Sequence, residues 1–118
     1  MIKVEKDLLF YKSIMMNIGN YEFSEPYLLE ENNLLNIACI YAVLYKTIGG
    51  FQLVYIGESG QVANRLSNHE RYSCWRTHSS GNLYVAIFIT PSIRYSEDQR
   101  RTLERELIDR YDPVCNRQ

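Results

Sequence analysis

Two apolar, β-rich runs separated by a glycine pair constrain this chain more than any other feature. Ile37 to Tyr45 reads IACIYAVLY, Phe51 to Ile56 reads FQLVYI, and Gly49-Gly50 lies between them. β-branched and aromatic side chains favour extended backbone, and glycine supplies the conformations a tight turn needs. The two runs therefore predict an antiparallel hairpin. A third run, Leu83 to Thr90 (LYVAIFIT), is closed by Pro91 and reads as a strand. Gly57-Glu58-Ser59-Gly60 reads as a tight connection into a helix over about Gln61 to Glu70. Ser96-Glu97-Asp98 opens a last helix, with acids in the first turn where the macrodipole favours them. That helix runs to about Arg110 and stops before Pro113. The order β-β-α-β-α defines an α+β fold, a small, mostly antiparallel three-stranded sheet flanked by helices.

A chain of 118 residues suits one compact domain. The first 38 residues read as an N-terminal extension, packed on the domain or at a dimer contact, and residues 39–118 as the domain itself. Within the extension, Asp7 to Met16 (DLLFYKSIMM) fits a short helix with Gly19 as its C-cap. Ser24-Glu25-Pro26 fits a turn, and Glu30 to Asn33 a loop. Average apolar and charged content excludes disorder of the whole chain. No apolar run approaches the ~20 residues of a membrane span. MIKVEKDLLFYKSIMM, with Glu5 and Asp7 ahead of short apolar runs, does not read as a secretory signal. Cys39, Cys74 and Cys115 are odd in number, far apart and without a CxxC pair. They predict neither a disulfide framework nor a zinc site, and a cytoplasmic, reducing setting is expected.

The formal charge of −1 argues against a protein that coats nucleic acid by bulk attraction. The charge is unevenly placed. All four lysines lie in residues 1–50 and all nine arginines in residues 51–118. Arginine's planar fork suits bidentate phosphate contact better than the lysine ammonium does.

Several side chains stand out against this frame. With Tyr41 opposite Tyr55, Val43 opposite Leu53 and Tyr45 opposite Phe51, both Tyr41 and Tyr55 share one face of the hairpin; a slip of one residue would separate them. Arg65 and His69, four apart on the first helix, are neighbours at the rim of the apolar stripe of Val62 and Leu66. On the last helix Leu103, Leu107, Ile108 and Tyr111 span an arc of roughly 140°. Glu104 falls inside that arc, where a carboxylate is costly without a partner. A metal ion would supply one; so would an outward rotation or a bond to Arg100 or Arg101. Trp75 and His78 lie in the polar stretch after the first helix, where a Trp either packs on the sheet or stacks on an unpaired base.

Ile40-Tyr41, Tyr55-Ile56-Gly57, Arg65, His69, Glu104 with Leu107-Ile108, Pro113 and Asn116, in this order and spacing, resemble the GIY-YIG nuclease family. Cys39 stands where the family's first tripeptide has glycine. The resemblance spans about Cys39 to Asn116. It implies a divalent-metal-dependent endonuclease that hydrolyses phosphodiester bonds in nucleic acid, with DNA the expected substrate. Glu104 would ligate Mg²⁺ or Mn²⁺, with waters completing the shell. Arg65 would pair with charge building on the phosphoryl oxygens. Tyr41 or Tyr55 would orient or deprotonate the attacking water; His69 is the rival base, because a phenol with a pKa near 10 is a poor base unless a cation lowers it. Asn116 would brace the site or contact phosphate. The low charge implies weak affinity with a shallow salt dependence, so selective binding would need a homodimer, a separate targeting partner or a special substrate shape. The competing reading is a non-catalytic module that binds nucleic acid or protein on a nuclease-like fold.

Overall fold

The computed structural model describes residues 15–31 and 34–117. Its centre is the expected hairpin. Two short hairpin strands, β1 (Met16–Ile18) and β2 (Tyr21–Phe23), come first in the chain, followed by β3 (Tyr27–Leu28) and a 3-10 turn over Leu29–Glu31. The central hairpin is β4 (Cys39–Thr47) and β5 (Gly50–Ser59), joined through Ile48 and Gly49. Helices α1 (Val62–Ser67) and α2 (Tyr72–Thr77) lead to β6 (Leu83–Ile89), then α3 (Glu97–Tyr111) and a 3-10 turn over Val114–Asn116. The fold is α+β with antiparallel sheets, as expected. Its main sheet, however, has four strands in the order β3-β6-β4-β5, beside a separate β1-β2 pair.

The fourth strand comes from the N-terminal region. Tyr27 and Leu28 pair with Val85 and Tyr84, and Ser24 continues the edge through bonds in both directions with Ile87 (2.8 and 3.0 Å). Two residues are too short to show a period of two in the sequence. The expected helix over Asp7–Met16 is corrected where it can be seen. Met16 opens a strand, and Gly19, with φ 63°, turns the β1-β2 hairpin instead of capping a helix. Residues 7–14 of that expectation lie outside the described residues.

The hairpin register also differs from expectation. Tyr41 is opposite Gly57, Val43 opposite Tyr55, Leu44 opposite Leu53, and Tyr45 opposite Gln52. Val54 is the extra residue of a β-bulge. Near Tyr41 the register is two residues away from the expected one. A shift of two keeps the face, so Tyr41 and Tyr55 still lie together.

The sheet is buried on both sides. Tyr41, Val43, Tyr55, Val85 and Ile87 pack with Val62, Trp75 and Cys115 on one face. Ile40, Ala42, Ile56 and Ala86 pack on the other with Leu103 and Leu107 of α3 and with Ile18 and Phe23. α3 starts where expected, with a capping box between Ser96 and Gln99. The first helix does not run to Glu70. It ends at Ser67, and a second helix begins at Tyr72. Ser67-Asn68-His69 is a weak helical stretch, and the His69 ring takes over a backbone donor, Arg71 N–H.

The cysteine expectation is overturned. Cys74 of α2 is disulfide-bonded to Cys115 of the C-terminal 3-10 turn, with Cα atoms 5.9 Å apart, and only Cys39 stays free. The cysteines therefore no longer argue for a reducing compartment. No helix among the described residues is long and apolar enough to cross a membrane.

Candidate active site

Tyr41 projects from β4 across the backbone of Gly57 on β5. A Cβ at Gly57 would overlap the Tyr41 ring and its hydroxyl, so this position requires glycine for space, not for φ. The Tyr41 and Tyr55 ring centroids are 6.1 Å apart. The His69 ring, which lies beyond the end of α1, meets Tyr55 edge-on at 5.1 Å. Its Nε2 is 2.8 Å from Tyr41 Oη.

The second ring nitrogen decides which way that bond runs. Arg71 N–H donates to His69 Nδ1 at 3.0 Å, so Nδ1 carries the lone pair. Burial, reinforced by the positive charge of Arg65, pushes the His69 pKa down to about 4. At neutral pH the ring is uncharged, its proton sits on Nε2, and Nε2–H donates to the Tyr41 oxygen. His69 thus has no free lone pair with which to accept another proton. Trp75, fully buried, stacks behind it at 4.4 Å and also faces Tyr55 at 5.5 Å. Its ring is enclosed by protein and backs the histidine; it is not presented to a base.

Burial raises the pKa of both tyrosines. The Arg65 guanidinium opposes that shift in both, and the Glu104 carboxylate reinforces it. The charges of Arg65 and Glu104 therefore both reach the tyrosine pair. Arg65, in the last turn of α1, donates to the two carboxylate oxygens of Glu70 at 2.6 and 2.7 Å. That fork holds the Glu70 carboxyl down to about 2.

Glu104 belongs to α3, which packs on the face opposite the tyrosines and against β5; its link to the tyrosine pair is the through-space effect of its charge. It is half-buried. Burial raises its pKa, the nearby Glu58 charge raises it further, and a hydrogen bond from the Glu58 backbone opposes the rise. Arg100 and Arg101, expected as alternative partners of Glu104, instead take the Glu58 carboxylate, at 3.3 and 3.5 Å. The Glu58–Arg100 pair is nearly buried, with side chains 13% and 10% exposed. Among the described residues Glu104 has no salt bridge of its own. Arg105 and Arg101 act on it only through space, lowering its pKa, and a half-buried carboxylate without a salt bridge is a fitting place for a divalent ion. Among the described residues no group of three or more His, Cys, Asp or Glu could form a metal cage. One carboxylate with waters is the donor set expected for Mg²⁺, which keeps much of its hydration shell.

Asn116 stands elsewhere. Its Oδ1 accepts from Ile56 N–H (2.9 Å) and its Nδ2 donates to Ile56 O (2.8 Å). The side chain stands in for a neighbouring strand along the open edge of β5. Both ends of the amide are occupied by protein, which makes Asn116 a brace for the Tyr55-Ile56-Gly57 strand.

Tyr41, Tyr55 and His69 thus touch one another, Arg65 acts through space on all three and Glu104 on the two tyrosines, and Trp75 and Asn116 support from behind. The sequence singled out neither Glu58 nor Glu70, and it offered Arg100 a different partner from the one it has. Glu58, next to the Tyr55-Ile56-Gly57 tripeptide, was a charged residue at a strand end that could have been singled out. Glu70 carried no such signal, because five residues along a helix would point it away from Arg65. The chain matches no family model, no curated protein and no solved structure.

Proposed function

We propose that the protein is a divalent-metal-dependent endonuclease of GIY-YIG type that hydrolyses phosphodiester bonds, with DNA as its substrate. The observation that supports the proposal is a touching tyrosine pair, Tyr41 and Tyr55, on which the charges of both Arg65 and a half-buried Glu104 without a salt bridge act. A general base with a cation site is what phosphodiester hydrolysis needs, and a plain binding surface has no use for a half-buried Glu104 without a salt bridge.

In this reading Tyr41, as its phenolate, takes a proton from the attacking water. The water oxygen bonds to phosphorus, the bond to the 3′-oxygen breaks, and the leaving oxygen is protonated from solvent. His69 stabilises the phenolate by donating from Nε2 and does not itself act as the base. Tyr55 orients the water, and Arg65 balances charge on the phosphoryl oxygens. Mg²⁺ or Mn²⁺ held at Glu104 would supply the remaining positive charge for the phosphate and the leaving group, and would ease ionisation of the phenol.

The test is cleavage of duplex, branched and single-stranded DNA and of RNA with Mg²⁺ or Mn²⁺. Glu104→Ala should lower cutting by at least ~10²-fold and Tyr41→Phe by a similar factor, the range for loss of acid–base or charge-stabilising groups. Circular dichroism should show both variants folded. Cutting by Glu104→Ala at the wild-type rate would reject the metal-ligand role.

A further inference from the structure

We infer that Glu70 occupies, in the free protein, the seat on Arg65 that a substrate phosphate takes, so that the chain carries its own competitor of nucleic acid. The inference rests on the phosphate-binding role given to Arg65 above. Two parallel N–H···O bonds of 2.6 and 2.7 Å join the fork to the carboxylate. The same fork accepts two oxygens of a phosphate in the same geometry. A phosphate and the carboxylate therefore cannot both hold it.

Three features distinguish this pair from a structural salt bridge. It is accessible: the Arg65 side chain is 33% exposed and that of Glu70 64% exposed. It is tethered on one side only, because Glu70 lies in the link between α1 and α2, outside either helix. Beyond Arg65, the Glu70 carboxylate meets its own backbone amide and His69 Nδ1 at 4.0 Å. That nitrogen already accepts from Arg71 and is uncharged, so it does not hold an anion. Finally, the Glu70 charge is felt by the tyrosine pair, where it raises the pKa of both Tyr41 and Tyr55. The buried Glu58–Arg100 pair, by contrast, is enclosed and has the character of a structural tie.

The consequence is selectivity. A lone phosphate gains little from displacing Glu70, since it exchanges one bidentate partner for another. A substrate that also engages the rest of the site overcomes the competition.

The probe is Glu70→Gln, which keeps the shape and removes the charge, with Glu70→Ala as a second variant. Inorganic phosphate is titrated while the Arg65 Nε–Hε resonance is followed, and a duplex oligonucleotide is titrated in Ca²⁺ by anisotropy. Both variants should bind phosphate and duplex roughly three- to fivefold more tightly, the scale of one partly exposed ion pair. Adding Arg65→Ala should erase the gain. Unchanged or weaker binding in both variants would overturn the inference, as would slower cleavage at subsaturating DNA, the result expected if Glu70 only holds Arg65 in place. The two readings fail separately. Glu104-dependent cleavage by the wild type with no gain in the Glu70 variants rejects the competitor and keeps the nuclease. A gain in phosphate and duplex affinity without any cleavage keeps the competitor and rejects the nuclease.

Discussion

His69→Gln tests the protonation state on which the site depends. The folded protein holds the imidazole at about 4, while in the unfolded chain it returns to its ordinary value near 6.5. The folded value is depressed, so the stability that His69 contributes is present above about 6.5 and is lost as pH falls toward about 4. At pH 5 the unfolded chain binds a proton that the native state largely refuses. Linkage across that gap gives a loss of about 2 kcal/mol between pH 7 and 5, rising to about 3 kcal/mol at lower pH. Glu104, whose folded value is raised, acts in the opposite direction, so the difference between wild type and variant isolates the histidine. Urea unfolding at half-unit steps from pH 8 to 4.5 measures it. The wild type should lose stability along this curve, and His69→Gln should flatten it by about 2 kcal/mol. Imidazole ¹⁵N shifts should place the His69 proton on Nε2. A flat wild-type profile, a value near 6.5 or a proton on Nδ1 would refute the hydrogen-bond assignment and, with it, Tyr41 as the acceptor of that bond.

Three further outcomes are expected. Cleavage should rise steadily with pH from 6 to 8, because the titrating base is a phenol raised by burial, and EDTA should abolish it; a rate already flat from pH 6 to 8 would point to His69, which is held at about 4. Gly57→Ala should destabilise the protein by about 1–3 kcal/mol and abolish cutting, because the new methyl group displaces the Tyr41 ring; a wild-type melting curve would show that the ring does not rest on that backbone. Reducing the bond between Cys74 and Cys115, which are 41 residues apart, should lower stability by about 3–4 kcal/mol in chemical denaturation, as loop-closure entropy predicts, and the Cys74→Ala protein should be insensitive to reductant.

The parts of this protein that the sequence revealed are those governed by near neighbours. Apolar runs around a glycine pair announced the hairpin, and Ser96-Glu97-Asp98 announced the start of α3. The positions of Tyr41 and Tyr55 on a shared face survived an error in register, because a displacement of two residues preserves the alternation. The Tyr27–Leu28 strand stayed hidden, since two residues have no periodicity and become a strand only beside β6. The break after α1 stayed hidden because it depends on the His69 ring capturing the Arg71 amide.

By itself, the sequence determined the central hairpin, the β6 strand and the last helix, and it supplied the candidate residues for chemistry: Tyr41, Tyr55, Arg65, His69 and Glu104. The tertiary structure alone decided who partners whom. It gave Arg65 to Glu70, Arg100 and Arg101 to Glu58, Asn116 to Ile56 and Cys74 to Cys115, and it left Glu104 without a salt bridge. It also set the protonation of His69 and the raised values of the two phenols. Backbone preference acts over a few residues and can be read locally, whereas the energy of a charge depends on burial and on groups brought near by distant segments of chain.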